Sequence, residues 1–260
     1  MILQIIRNGI LKPSSMVELA QEKSEIKEDE AYRKHEYIFD FENVNDFFKE
    51  KFPNENIREL EMELKEIEDN VEQFFSILED KKYPSKEKPY PIDYSINSDS
   101  RKFLYILCRI VKPEKIIETG VAYGLSSYYI LSALNKNKVG TLISIDSVFR
   151  PWQSEEMIGA IIPENLRSKW ELVLGKSNEK LLKVFDDTEN VGIFVHDSLH
   201  SYKNMMFEFN CAIDRIRDKG IIISDDILDN DAFYDFIKPK KIENSVIKVG
   251  DSGLGFIQKD

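Results

Sequence analysis

The sequence is poor in cysteine and histidine, has no excess of positive charge and contains no long apolar run. It holds two cysteines, Cys108 and Cys211, among 260 residues. That is too few for the disulfide framework of a small secreted domain. Both lie in apolar stretches of helical pattern, which predicts buried free thiols and suits a reducing, cytoplasmic setting. Lys and Arg number 36 against 47 Asp and Glu, a formal charge of −11. Nucleic-acid binders usually carry a broad basic face, so a phosphate-backbone partner is disfavoured. No apolar stretch approaches the roughly 20 residues needed to span a bilayer. The opening Met1-Ile2-Leu3-Gln4-Ile5-Ile6 is too short, and too lacking in a basic front, for a signal peptide.

What is there is 42% hydrophobic and 32% charged residues, the balance of a folded chain. The length suits one medium-sized domain with an extension. In the extension, Lys12-Pro13-Ser14-Ser15 breaks an apolar start, and Ser15 can cap a helix from Met16. Aromatic residues return at Tyr37, Phe39, Phe41, Phe47 and Phe48, with Ile38 among them, which predicts packing without defining a fold. Over residues 54–80, Ile57, Leu60, Leu64, Ile67, Val71, Phe74 and Leu78 recur at steps of three and four, one stripe of a helix. The stripe is open to two readings, a helix laid on the main domain or the seam of a homo-oligomer. Pro84, Pro89 and Pro91 then make an extended connector. The boundary is placed there, giving an extension over 1–95 and a main domain over 96–260.

From Ser98 strands and helices alternate. Phe103, Leu104, Leu107, Cys108 and Val111 give a helical face ended by Lys112-Pro113. Strands are expected at Ile116-Ile117, Thr141–Asp146, Glu171–Leu174, Val191–Val195 and Ile221–Ser224. Helices are expected over Leu125–Leu134, near Ser154–Ile162, over Asn178–Phe185 and over Tyr202–Arg217, the last stopped by Lys219-Gly220. Residues Ser245–Val249 and Leu254–Ile257 around Asp251-Ser252-Gly253 read as an antiparallel hairpin. The pattern predicts an α/β fold with a doubly wound, mostly parallel sheet. Such sheets bind ligands outside the carboxyl ends of their strands, near the switch in strand order.

The strand ends carry the polar residues. After the first strand come Gly120 and Gly124, a turn that lets backbone approach a nucleotide. Asp146 closes the second strand, where an acid can accept from a ribose diol or merely anchor a loop. Gly175-Lys176-Ser177 follows the third strand and can border a purine ring or cap a helix. His196-Asp197-Ser198-Leu199-His200 closes the fourth and Asp225-Asp226 the fifth. Three carboxylates from adjacent strands would repel unless a cation or proton intervenes. A hard ion such as Mg²⁺ with oxygen ligands is one answer, with His200 beside it as a general base.

Glu118-Thr119-Gly120-Val121-Ala122-Tyr123-Gly124, the acid Asp146 and the terminal hairpin resemble the class I S-adenosylmethionine-dependent methyltransferases over residues 98–260. Asp197-Ser198-Leu199-His200-Ser201-Tyr202 and Asp225-Asp226 are similar to the metal-dependent O-methyltransferases of macrolide sugars and related natural products, which generally carry Glu-Asp where this chain has Asp-Asp. The resemblance implies that Glu118, Gly120, Tyr123, Gly124, Ser126, Asp146, Ser147, Gly175, Ser177 and Asp197 contact S-adenosylmethionine. It implies Asp197, Asp225 and Asp226 as Mg²⁺ ligands and His200 as catalytic base. By position, Tyr123, Arg150 and Trp152 are candidates for the acceptor side. The acceptor so implied is a small molecule, a sugar or another polyhydroxylated metabolite. An NAD-dependent oxidoreductase shares the glycine turn and the ribose acid, and a binding protein that kept the fold without catalysis is the third alternative.

Overall fold

The computed structural model describes residues 13–32, 40–92, 96–148 and 152–260. Tyr37, Ile38, Phe39 and Arg150 lie outside the described residues. The strands are β1 (Phe41–Glu42), β2 (Lys115–Thr119), β3 (Thr141–Asp146), β4 (Trp170–Leu174), β5 (Val191–His196), β6 (Ile221–Ser224), β7 (Glu243–Val249) and β8 (Ser252–Gln258). They form one sheet in the order β1-β7-β8-β6-β5-β2-β3-β4. The pairs β2–β3, β3–β4, β2–β5 and β5–β6 are parallel, whereas β8 runs antiparallel to both β6 and β7.

The apolar strands are consistent with burial on both faces, and their alternation sorts side chains into two cores. Ile116, Ile193, Val195 and Ile223 face one side, under α5 (Ser98–Val111) and α6 (Leu125–Asn137). Ile117, Phe194 and Ile222 face the other, under α7 (Ser177–Asp186), α8 (Tyr202–Arg215) and α9 (Ala232–Ile237). The chain runs outward from β2 through β3 to β4, then returns to place β5 on the far side of β2. The carboxyl ends of β2 and β5 are therefore the switch point, where a crevice forms.

The N-terminal segment has a definite place. Strand β1 pairs parallel with β7, and α2 (Val44–Lys51) begins at Asn43, whose side chain accepts from the Asp46 N–H at 2.9 Å. Helix α2 inserts Phe47 and Phe48 into the core, with ring centroids 5.1 and 4.9 Å from Phe103. An earlier helix, α1, spans Pro13–Tyr32.

Three expectations change. The stripe over 54–80 is two helices, α3 (Ile57–Met62) and α4 (Lys65–Glu79), and not one. Between them Glu63 accepts from Tyr105 at 2.6 Å and from Arg109 at 2.8 and 3.0 Å, tying the break to α5. The stripe's Leu64, Ile67 and Val71 are buried in the chain's own core, so that face is not a free oligomer seam. Residues 154–162 do not form an α-helix. The segment makes tight i→i+3 turns, with a 3₁₀ turn over Glu155–Met157, while Gly159 and Ile161 donate their N–H groups to Ala122 and Tyr123 at 3.0 and 3.1 Å and fasten it to the glycine turn. Helix α8 stops at Arg215, and Lys219 (φ 59°), not Gly220, takes the left-handed position after it. No helix among the described residues is long and apolar enough to cross a membrane.

Phe48→Ala should cost about 3–5 kcal/mol of stability in urea unfolding, the usual loss for a buried phenylalanine. A near-neutral result would mean that α2 does not belong to the core.

Candidate active site at the switch point

After β2 the chain turns through Gly120 (φ 83°), Ala122 (φ 48°) and Gly124 (φ 88°) into α6. Gly120 has no alternative, because a Cβ there would lie 1.8 Å from the Asp197 carbonyl oxygen. The Asp197 N–H in turn donates to Thr119 O at 2.9 Å, so the ends of β2 and β5 are in direct contact. Asp146 faces the turn. Its Oδ2 accepts from the Val121 and Ala122 N–H groups at 3.0 and 2.8 Å, and its Oδ1 from Ser147 at 2.5 Å. Of the roughly four acceptor positions on a carboxylate, loop amides take all but one, which is left for a ligand hydroxyl. Burial pushes the Asp146 carboxyl above its ordinary range, and these amides oppose the rise.

Glu118 lies beneath the turn, fully buried, and accepts from Ser126, Ser127 and Ser144 at 2.5, 2.5 and 2.7 Å. Ser126 is thereby committed to Glu118. The Tyr123 side chain points away from the crevice. Its hydroxyl donates to Tyr90 O at 2.8 Å, and its ring meets Tyr90 edge-on at 5.1 Å, so it pins the connector and does not line the cofactor region. Trp152 does likewise, donating its indole N–H to Pro89 O at 3.1 Å. The Gly175 N–H reaches Asp146 O at 2.8 Å, which keeps that turn beside the ribose acid. Ser177 opens α7, where its hydroxyl donates to Asn204 Oδ1 at 3.2 Å and does not act as the helix cap.

On the other side of Gly120, His200 stands between two acids. Its Nε2 is 3.9 Å from Asp197 Oδ1 and its Nδ1 is 3.7 Å from Asp226 Oδ2. Burial and the neighbouring His196 push its pKa down to about 4, against the pull of Asp226 and Glu208. The imidazole is therefore a neutral base over the physiological range. Burial, followed by the charges of Asp225 and Glu118, raises Asp197 well above a normal carboxylate. Asp226 occupies a left-handed turn position (φ 48°) and accepts from Ser252 Oγ at 2.9 Å.

Residues not singled out from the sequence complete the site. Glu208 of α8 is fully buried and tied to His196, Thr119, Ser198 and Asn204. The signal was present, since Glu208 shares a helix face with Met205 and Ala212, where only apolar residues are expected. Helix α1 reaches the same corner. Asp29 accepts from the Tyr202 N–H at 2.7 Å and Glu25 from Ser201 Oγ at 3.0 Å, so acids of the extension cap α8 beside His200.

Residues 117–227 match the family described as Methyltransferase domain. The matched stretch runs from β2 through β6, and the antiparallel placement of β8 between β6 and β7 completes a sheet of the methyltransferase fold. Among solved structures, the methyltransferase fold recurs in an O-methyltransferase from Bacillus cereus in complex with SAH. That protein is 15% identical, with 84% of this chain and 97% of that one covered at a TM-score of 0.55. The O-methyltransferase TomG from Streptomyces achromogenes, involved in tomaymycin synthesis and in complex with SAM, is 19% identical over 73% of this chain and 95% of its own (TM-score 0.56). A methyltransferase from Geobacter sulfurreducens is 15% identical over 73% and 88% (TM-score 0.54). At these identities the likeness shows the fold. A search of curated proteins found no match.

The switch point suits the adenosyl cofactor, with a glycine turn, Asp146 holding one free acceptor position, and Asp197 at their edge. A Mg²⁺ site fits less well. Asp225 accepts from Ser100 Oγ at 3.2 Å, although its charge and that of Asp226 still reach Asp197. Among the described residues, the ligating atoms that lie within 4.8 Å of one another come from His200, Asp226 and Asp229. That set would occupy the imidazole, whereas Mg²⁺ favours oxygen donors. Asp197, Asp225 and Asp226 are neighbours in charge but do not close such a set.

Gly120→Ala should abolish the thermal shift produced by S-adenosylhomocysteine and lower the melting temperature, whereas an unchanged ligand shift would mean that the turn lies outside the cofactor site. A second expectation concerns Asp225, whose pKa burial and then Asp226 raise to about 7 from an ordinary 3.8. A raised carboxyl contributes stability below its unfolded pKa and loses it as pH climbs through the folded one. Asp225→Asn should therefore gain melting temperature relative to the parent between about pH 4 and about pH 7. A constant difference across that range would show that Asp225 is already ionised at the lower pH.

Proposed function

We propose that this methyltransferase moves a methyl group from S-adenosylmethionine to a hydroxyl of a small molecule, with His200 as the general base. The observation that carries the reading is His200 itself, an imidazole held neutral between Asp197 and Asp226 at the end of β5, next to the Gly120 contact. When bound, S-adenosylmethionine supplies an electrophilic methyl on a sulfonium. The chain's part is to orient and to remove a proton. Asp146 and the amides it anchors position the ribose end, and Glu118 with its serines keeps the turn from moving. His200 accepts the acceptor hydroxyl's proton at a ring nitrogen, and the flanking carboxylates stabilise the imidazolium that results.

The names of the solved relatives support oxygen as the methylated atom, and TomG's part in tomaymycin synthesis supports a small-molecule acceptor. A cytoplasmic setting, and the division of labour between residues 1–95 and 96–260, belong to the same proposal. In it, the extension closes the acceptor side through Glu25 and Asp29.

Radiolabelled methyl transfer from S-adenosylmethionine to a panel of catechols, sugars and amines tests the reading. Label should pass to hydroxyl compounds, and His200→Gln should lower the rate by about 10² or more while S-adenosylhomocysteine still binds. Because the base is free above about pH 4, His200 should leave the rate flat through neutrality. Transfer confined to amines, or full activity in His200→Gln, would contradict it.

A further inference from the structure

The Glu208 side chain is fully removed from water, yet every acceptor position it has is used. Its Oε2 accepts from Thr119 Oγ1 at 2.6 Å and lies 2.6 Å from His196 Nδ1. Its Oε1 accepts from Ser198 Oγ at 2.8 Å and from Asn204 Nδ2 at 3.0 Å. An ionised carboxylate has about four acceptor positions, so the proton shared with His196 sits on Nδ1. Burial alone would raise the Glu208 carboxyl, but His196 and the hydroxyl donors hold it down at about 2. Glu208 is an anion, and its bond to His196 fixes both the tautomer and the plane of that ring.

His196 is fully buried, and its Nε2 has no hydrogen-bond partner. Buried polar atoms are nearly always paired, so an unpaired one calls for a reason other than stability. The ring's remaining contacts are aromatic. It packs on Phe209 at 5.6 Å and meets the His200 ring edge-on at 5.3 Å and 85°. His200 is the outer of the two imidazoles, 19% exposed at the side chain against 0% for His196. Neither contact of His200 with its acids is a hydrogen bond, at 3.7 and 3.9 Å, so those acids alone do not fix its ring.

We infer that His196, clamped by Glu208, is a positioning residue for His200, the wall against which the outer imidazole stands and by which its orientation is set. This rests on the reading of His200 as the base. The pair of histidines thus holds the base in one orientation.

Histidine ring NMR on the full chain tests this without any acceptor, since the sequence holds three histidines, His35, His196 and His200. In His196→Ala, which removes the wall, the His200 ring resonances should broaden or split as the ring samples more than one orientation. Glu208→Gln should also shift the His200 ring signals, although Glu208 directs its hydrogen bonds elsewhere. One sharp set of His200 ring signals at the parent's positions in both folded variants would overturn the inference. If neither variant folds, the parent protein still decides: at neutral pH His196 must show the Nδ1–H pattern, and an Nε2–H pattern overturns the proposal. Failure of the base reading looks different, because His200→Gln would then keep transferring methyl groups while the NMR coupling between the two rings persists.

Discussion

Two carboxylates taken entirely out of water, Glu118 and Glu208, hold the carboxyl ends of the central strands together. A buried anion without partners would cost several kcal/mol, so each dictates its surroundings. Glu118 gathers hydroxyls from α6 and β3, and Glu208 gathers donors from β2, β5 and α8. Between them they bind five elements at the one point where the sheet reverses its order. The direct contact of Gly120 with Asp197 is sterically possible only because residue 120 carries no Cβ. A site assembled this way is rigid before any ligand arrives, which is what electrostatic and orientational catalysis require.

The N-terminal elements extend the same logic outward. Helix α2 packs Phe47 against Phe103 of α5 and Phe256 of β8, and the connector is fastened to the glycine turn through Tyr90–Tyr123 and to the segment after β3 through Pro89–Trp152. Helix α1 sets two acids at the start of α8, on the loop that presents His200. The extension is thus attached to both halves of the crevice, the cofactor side by the connector and the base side by α1.

Much of this was legible in the sequence. The runs Ile221-Ile222-Ile223 and Val191–Val195 announce doubly buried strands, and Gly120, Gly124 and Asp146 fall where a switch-point site needs them. Other features were not. Asp225 and Asp226 are consecutive at a strand end, so their side chains leave in different directions, one inward to Ser100 and one toward Ser252 and His200. Composition alone does not say which goes where. The apolar stripe of 54–80 keeps its phase across the break at Glu63, because the two helices pack on the same core, and periodicity cannot see a cap that depends on Arg109. The expected helix at 154–162 gives way to 3₁₀ turns, with the Gly159 and Ile161 amides claimed by Ala122 and Tyr123, distant in sequence. Glu208 was the missed opportunity, an acid on an apolar helix face.

The central claim is that the crevice between the glycine turn and the β5 end holds an adenosyl sulfonium cofactor. Isothermal titration of the full chain with S-adenosylhomocysteine, and separately with NAD, tests it most directly. The account predicts saturable one-to-one binding of S-adenosylhomocysteine, weakened by Asp146→Ala, and no heat from NAD. Binding of NAD in its place, or S-adenosylhomocysteine affinity indifferent to Asp146, would contradict it.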